Sequence, residues 1–308
     1  MKIKHLTIFH FSLLLSLSSH LLPNLLRSPF FKLPSAHKSL PRSLHLHLLD
    51  SASHISSLLL LSSSDCLAPS CPSFSLLSAS LSLLNHDCRP NCVMVFEGTK
   101  LQLRAVRDIK PEEELTISYM ETLSLTEERQ RQLEDQYHFT CHCQRCHSHD
   151  KDGLMLSGDE ATWRLLKEAL PRLEEHQAKS DWEVLLQSCS DLLSTVGGTV
   201  PDENLYKLRM TDMALDASIH LGRWKEAVRY GEKTIPVYRQ YYPDPHPVHG
   251  VQLMRVGKLQ HYLGHIEEAL NTFKQAYQIL KVTHSDDHPL SKDLLMKMEE
   301  CRCEMDQQ

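Results

Sequence analysis

The sequence predicts an α+β protein in two parts: a small block of short strands closed by clustered cysteines, then an all-α array of helix pairs. Three observations carry that expectation. The stretch Asn85-His86-Asp87-Cys88-Arg89-Pro90-Asn91-Cys92 is followed by strand-like runs and a Cys-x-Cys-x-x-Cys cluster at Cys141, Cys143 and Cys146. From Trp163 to Met305 apolar residues recur at helical spacing. Within that region, short motifs return after 42 residues, as Leu221-Gly222 does at Leu263-Gly264 (263 − 221 = 42).

A chain of 308 residues can bury two ordinary cores. Its net charge of -6 gives no electrostatic reason to expect direct nucleic-acid binding or attachment to an anionic membrane. The acidity is uneven, since residues 1–80 contain only Asp50 and Asp65. The acidic remainder suits basic, lysine-bearing partners.

The N-terminal segment, residues 1–75, opens like a secretory signal, with Lys2 and Lys4 ahead of an apolar run from Leu6 to Leu17. The run is too short and too interrupted by His and Ser to span a bilayer. It continues as a Leu, Ser, His and Pro mixture without a sustained period of 3.6 or 2, so an unstructured, low-complexity leader is expected.

Residues 76–147 form the chemical block. Val93 to Phe96 and Leu101 to Val106 read as strands flanking Glu97-Gly98-Thr99-Lys100, where glycine permits a positive backbone angle, and a hairpin follows. Pro111 interrupts with a turn, and Leu115 to Tyr119 reads as the next strand. A helix is expected from Thr126 to Tyr137, with Ser124-x-x-Glu127 as a capping box.

Cys141, Cys143 and Cys146 are too crowded to pair conveniently as disulfides, and that crowding suits a tetrahedral thiolate site in a reducing compartment. A closed structural zinc site needs a fourth ligand. Cys88 is the candidate, with Cys92, His142 and His147 as alternatives that spacing does not rank.

The run Asn85 to Cys92, Arg104-Ala105-Val106-Arg107-Asp108-Ile109, Glu113-Glu114-Leu115-Thr116-Ile117-Ser118-Tyr119 and Cys141 to Cys146 resemble the C-terminal half of a SET domain with its post-SET cysteines. With Asp135-Gln136-Tyr137-His138-Phe139 ahead of the cysteines, the wording is similar to the SET and MYND domain-containing lysine methyltransferases. The resemblance implies transfer of a methyl group from S-adenosylmethionine to lysines of histone tails and other proteins. It further implies that Asn85, His86, Tyr119 and Phe139 bind the cofactor, that Tyr119 and Tyr137 form the catalytic lysine channel, and that Cys88, Cys141, Cys143 and Cys146 bind zinc. A cytoplasmic and nuclear protein is expected on the same ground.

Two departures accompany the resemblance. Asp87 stands where the family usually has a small residue. No glycine precedes Gly98, so the family's glycine-rich cofactor loop is not expected in residues 1–80, and the chain as written is expected to be inactive. The alternative reading is a non-catalytic zinc-binding and helical-repeat interaction protein.

Residues 148–308 read as helices at Trp163–Glu175, Trp182–Leu193, Leu205–Leu221, Trp224–Tyr238, Val248–Leu263, Ile266–Val282 and Leu290–Met305. Glu226-Ala227 returns as Glu268-Ala269, and His246-Pro247 as His288-Pro289, again 42 apart (288 − 246 = 42). This period reads as long tetratricopeptide-like pairs with a concave face for partners. The resemblance implies an acidic tail of a heat-shock 90 type chaperone as one partner, held by lysines such as Lys207 and Lys258. His246, His249, His261 and His288 are expected at helix ends and on the surface rather than on a metal.

Overall fold

The computed structural model describes residues 83–97, 100–243 and 245–307. The leader expected at 1–75 and the hairpin glycine lie outside the described residues. The chain divides near Ser148 into two compact units.

In the first unit the hairpin forms as the alternation requires. Strands β2 (Cys92–Glu97) and β3 (Lys100–Ala105) pair antiparallel, with Val93 opposite Arg104 and Val95 opposite Gln102. The strand expected over Leu115–Tyr119 is shorter. As β4 it covers Thr116–Ile117 and pairs in parallel with β1 (Asn85–His86), Asn85 opposite Thr116 and His86 opposite Ile117. Ahead of it, Lys110-Pro111-Glu112-Glu113 turns sharply. Glu112 has φ 65°, and the Glu113 N–H donates to the Lys110 carbonyl over 3.1 Å, with proline preset at the first central position.

Buried Asn91 does what two-residue strands cannot do for themselves. Its amide donates to the Glu114 carbonyl at 2.8 Å, and its side-chain oxygen accepts the Thr116 N–H at 2.9 Å, so one side chain mimics a rung of ladder between the Cys88–Cys92 loop and β4.

Helix α1 spans Thr126–Tyr137 as expected, but the predicted capping box does not form. Leu125 is the N-cap residue and makes no side-chain cap bond. Buried Arg129 reaches back instead, donating to the Ser124 carbonyl and, at 3.0 Å, to the Thr126 hydroxyl. The helix ends at His138 in the left-handed conformation (φ 57°), whose N–H returns to the Glu134 carbonyl. A five-residue helix, α2 (Gln144–Ser148), carries the last cysteine of the cluster.

The second unit begins with a single turn, α3 (Asp152–Met155), followed by α4 (Glu160–Ala178), α5 (Trp182–Val196), α6 (Leu205–His220), α7 (Trp224–Tyr241), α8 (Pro247–Tyr262), α9 (Ile266–Thr283) and α10 (Pro289–Met305). All seven long helices expected from periodicity are present. The repeat is visible in the packing. Ala227 and Ala269 are both fully buried, and Gly222 and Gly264 both turn the chain at positive φ, 71° and 81°. Trp182 stacks on His220 and Trp224 meets Tyr262, aromatic pairs related by the same 42 residues (224 − 182 = 262 − 220 = 42).

His246 and His288 begin α8 and α10 alike, each imidazole accepting the N–H two residues on, with proline in the first turn. His261 pairs with Glu304 at 2.9 Å, while His249 is buried in α8 and so departs from the expected surface role. Among the described residues no helix is long and apolar enough to cross a membrane.

Candidate functional site

The Cys-x-Cys-x-x-Cys segment follows α1 directly, and Gln130 of that helix clamps its start. The Gln130 amide donates to the Cys141 carbonyl at 2.7 Å and its oxygen accepts the Cys141 N–H at 2.8 Å. Cys88 arrives from the other side, after β1. The sulfurs of Cys88, Cys141, Cys143 and Cys146 all lie within 4.8 Å of one another, and those of Cys88 and Cys146 are 3.5 Å apart. A tetrahedral zinc with bonds of about 2.3 Å needs sulfurs about 3.8 Å apart, so the donor set fits zinc in number, softness and spacing. Of the alternatives, Cys92 faces Ala105 across the hairpin, and His142 and His147 are exposed and outside the cluster.

The cluster polarises itself. A hydrogen bond from Cys88 holds the Cys141 thiol well down, and the same shared bond, reinforced by burial, pushes Cys88 far up. Four such groups can be thiolates together only with a cation among them. Arg129 also lends positive charge, its guanidinium 3.7 Å from the Cys146 sulfur.

Aromatic rings cover the adjoining face. The Tyr119 and Tyr137 centroids are 4.8 Å apart, and His86 lies 5.2 Å from Tyr119 and 6.1 Å from Phe139. These rings pack against Cys88, Met120, Leu133, Cys141 and Cys146. Burial, then the nearby Glu114 carboxylate, raises the Tyr119 phenol, and burial followed by Tyr119 pushes Tyr137 up to about 12. The Tyr119 hydroxyl donates to the Leu84 carbonyl. The Asn85 side chain is exposed and donates to Glu114.

The structure thus brings His86, Cys88, Tyr119, Tyr137, Phe139, Cys141, Cys143 and Cys146 together, with Asn85 on the strand beside them. Arg129 joins them at Cys146 without having been singled out from sequence, and Asn91 braces the neighbouring loop on β4. Glu113 accepts from Arg107, Asn91 and the Lys110 N–H, and the Arg107 bond foremost holds its carboxyl at about 2.

Lys207 and Lys258, the expected peptide clamp, are already engaged within their own unit. Lys207 donates to the Val200 carbonyl at 2.6 Å and pairs with Asp202 at 2.8 Å, and Lys258 pairs with Asp293 at 2.7 Å. An incoming carboxylate would meet Asp202 and Asp293 at these lysines.

Residues 23–120 match the SET domain family, and residues 208–281 match a tetratricopeptide repeat family. The SET match therefore extends upstream of the described residues. Histone-lysine N-methyltransferase SMYD3 of Homo sapiens is 48% identical over 222 residues, covering 72% of this chain and 52% of the relative. Histone-lysine N-methyltransferase Smyd1 of Mus musculus is 32% identical over 70% of this chain and 48% of its own length, and N-lysine methyltransferase SMYD2 of Homo sapiens is 30% identical over 71% and 53%. The chain spans about half the length of these curated relatives. Near-half identity over 222 residues, joined to a SET match and a tetratricopeptide match in one chain, places this protein in the SMYD family of SET-domain lysine methyltransferases.

Proposed function

We propose that the chain carries one wall of an S-adenosylmethionine-dependent protein-lysine N-methyltransferase site. In this reading Tyr119 and Tyr137 line the path of the acceptor lysine, Asn85, His86 and Phe139 border the cofactor, and Cys88, Cys141, Cys143 and Cys146 hold zinc. The observation that carries it is the Tyr119–Tyr137 ring pair at 4.8 Å, packed on the four-thiol cluster. S-adenosylmethionine would supply a sulfonium methyl carbon for in-line attack by a neutral lysine amine, the C–S bond breaking and S-adenosylhomocysteine leaving as a neutral thioether. Phe139 offers an apolar ring for the adenosyl part, beside His86.

The tyrosines fit the amine better than carboxylates would. Their rings give apolar walls that favour loss of the lysine proton, since desolvation disfavours an ammonium whose ordinary pKa is about 10.4. Both phenols are raised, so at neutral pH they stay protonated and can orient the amine without competing for its proton. Alignment is then the main service of the site, because in-line displacement depends on near-attack geometry. Lysine-bearing proteins such as histone tails are the substrate class, and the helical unit is a surface for protein partners. A heat-shock 90 type tail is a candidate partner that would meet Asp202 and Asp293 at the lysines. Free thiols at every described cysteine suit the cytoplasm and nucleus.

A second reading for this chain alone is a zinc-and-repeat interaction protein without catalysis, favoured by the four-thiol cluster followed in the chain by a helical unit that repeats every 42 residues. Labelled methyl transfer to a lysine substrate separates the two. Residues 1–308 should transfer nothing, and residues 81–308 joined to a complete family N-terminus should transfer, less so with Tyr119→Phe. Transfer by the unmodified chain, abolished by Tyr119→Phe, would overturn the expected inactivity. Silence of the joined protein would leave the interaction reading standing.

A further inference from the structure

We infer that His86 is a positioning residue that ties the thiol-bound metal to the seat of Tyr119. The inference rests on the zinc reading above and adds a link that neither a cysteine count nor an aromatic wall requires.

The geometry fixes the roles of both ring nitrogens. Nδ1 of His86 lies 2.9 Å from the Tyr119 backbone nitrogen, whose N–H can only donate. Nδ1 is therefore the acceptor, and the ring proton of the neutral imidazole sits on Nε2. Nε2 lies 3.2 Å from the Cys88 sulfur. An N–H aimed at sulfur is strongest when that sulfur is a thiolate, and metal binding makes it one. The imidazole is thus held in one tautomer and one orientation by a metal ligand, and its far side holds the backbone of Tyr119.

The surrounding strands leave the ring little freedom. The Asp87 N–H donates to the Ile117 carbonyl at 3.1 Å, so the register of β1 on β4 continues past His86 and sets Tyr119 two residues beyond that rung. Tyr119 is then held twice by the segment that bears Cys88, by its N–H to His86 and by its hydroxyl to the Leu84 carbonyl. With both ring nitrogens in use, His86 has no ring hydrogen bond left for a cofactor, and its contribution there comes through its main chain and the faces of its ring.

Conservative variants separate the two nitrogens. Asparagine places an amide oxygen near the position of Nδ1 and leaves the sulfur without a donor. Glutamine places an amide nitrogen near the position of Nε2 and leaves the Tyr119 N–H without its acceptor. The full chain, loaded with zinc, is followed by zinc release to a chromophoric chelator and by hydrogen exchange at the Tyr119 amide, with amides of the β2–β3 hairpin as reference.

In His86→Asn, zinc should leave about 10- to 100-fold faster while the Tyr119 amide stays slow. In His86→Gln, zinc retention should approach that of the unmodified chain while the Tyr119 amide exchanges faster. His86→Ala should lose both, and if it does not fold the other two variants carry the test. Unchanged zinc release in His86→Asn, an unchanged Tyr119 amide in His86→Gln, or both readouts moving together in both variants would overturn the link. Failure of the unmodified chain to take up zinc would remove the metal reading along with it. Methyl transfer enters none of these measurements, so their outcome is independent of catalysis.

Discussion

Between Leu83 and Ser148 the buried centre is largely sulfur, whereas from His149 onward it is leucine, tyrosine, phenylalanine and alanine packed between neighbouring helices. The described part of the first unit holds a pair of two-residue strands, one hairpin and one long helix around four clustered cysteines. A zinc ion held by those cysteines would contribute its binding energy directly to folding. The second unit repeats one seam, and each pair buries its face on the next. Order in the first unit is concentrated at a point, and in the second it is distributed along a line.

The sharpest way to break that comparison is Cys141→Ser. It should reduce zinc from one per chain to near zero and withdraw a binding term of about 10 kcal/mol, so that the amides of residues 83–148 lose protection while the thermal transition of residues 149–307 is unchanged. Zinc retained at full occupancy, or helices melting in step with metal loss, would contradict the division. Metal analysis and hydrogen exchange on one sample decide it.

A smaller effect is expected from the opposite side. Gly257 lets α8 approach α9 so closely that an added Cβ would stand 2.6 Å from ring carbons of fully buried Phe273. Gly257→Ala should therefore destabilise the helical unit by about 1–3 kcal/mol in urea titration and leave zinc content untouched. A neutral result would mean that α8 and α9 yield more easily than their packing implies.

The smallest effect sharpens the contrast through pH. Asp212 of α6 is raised to about 7 by burial and then by Asp216 of the same helix, against Tyr238 of α7 and Arg255 of α8, which favour the charged form. Because the folded-state value lies above the ordinary one, the native state binds more protons than the unfolded chain through this range. Its stabilising contribution is complete below about 4 and lost as pH rises through about 7, so the helical unit should gain about 1 kcal/mol from pH 8 to pH 6. Denaturant titration of residues 149–308 at the two pH values tests this, and Asp212→Ala should flatten the difference.

What was legible in the sequence follows from how far each signal travels along the chain. The seven long helices announce themselves every third or fourth residue, and α1 matched its expected bounds. The hairpin, local and alternating, was equally readable. The pairing of β1 with β4 was not, because two residues carry no period and their partners lie 31 positions away (116 − 85 = 31). Cys88 could be picked as a ligand candidate, yet its separation from Cys92 into different environments needed the fold. Ser124 and Glu127 spell a capping box, but Arg129, an unremarkable helix arginine in sequence, takes the carbonyl and hydroxyl at that helix start. Lys207 and Lys258 looked available because nothing local shows that Asp202 and Asp293 come to meet them.

The shared turn at Gly222 and Gly264 has a consequence for engineering and for descent. Excising residues 222–263 would join Leu221 to Gly264 and rebuild the same Leu-Gly turn at a positive φ both sites already adopt. Ala269 would then occupy the place of Ala227, and α9 would lie where α7 packs on α6, so the splice would meet familiar chemistry on both sides. An array built this way can lose or gain a whole 42-residue module in one genetic event without passing through a broken intermediate. The four-thiol cluster has no such freedom, because Cys88 meets Cys141, Cys143 and Cys146 across the stretch between them and every deletion there changes the span to be closed.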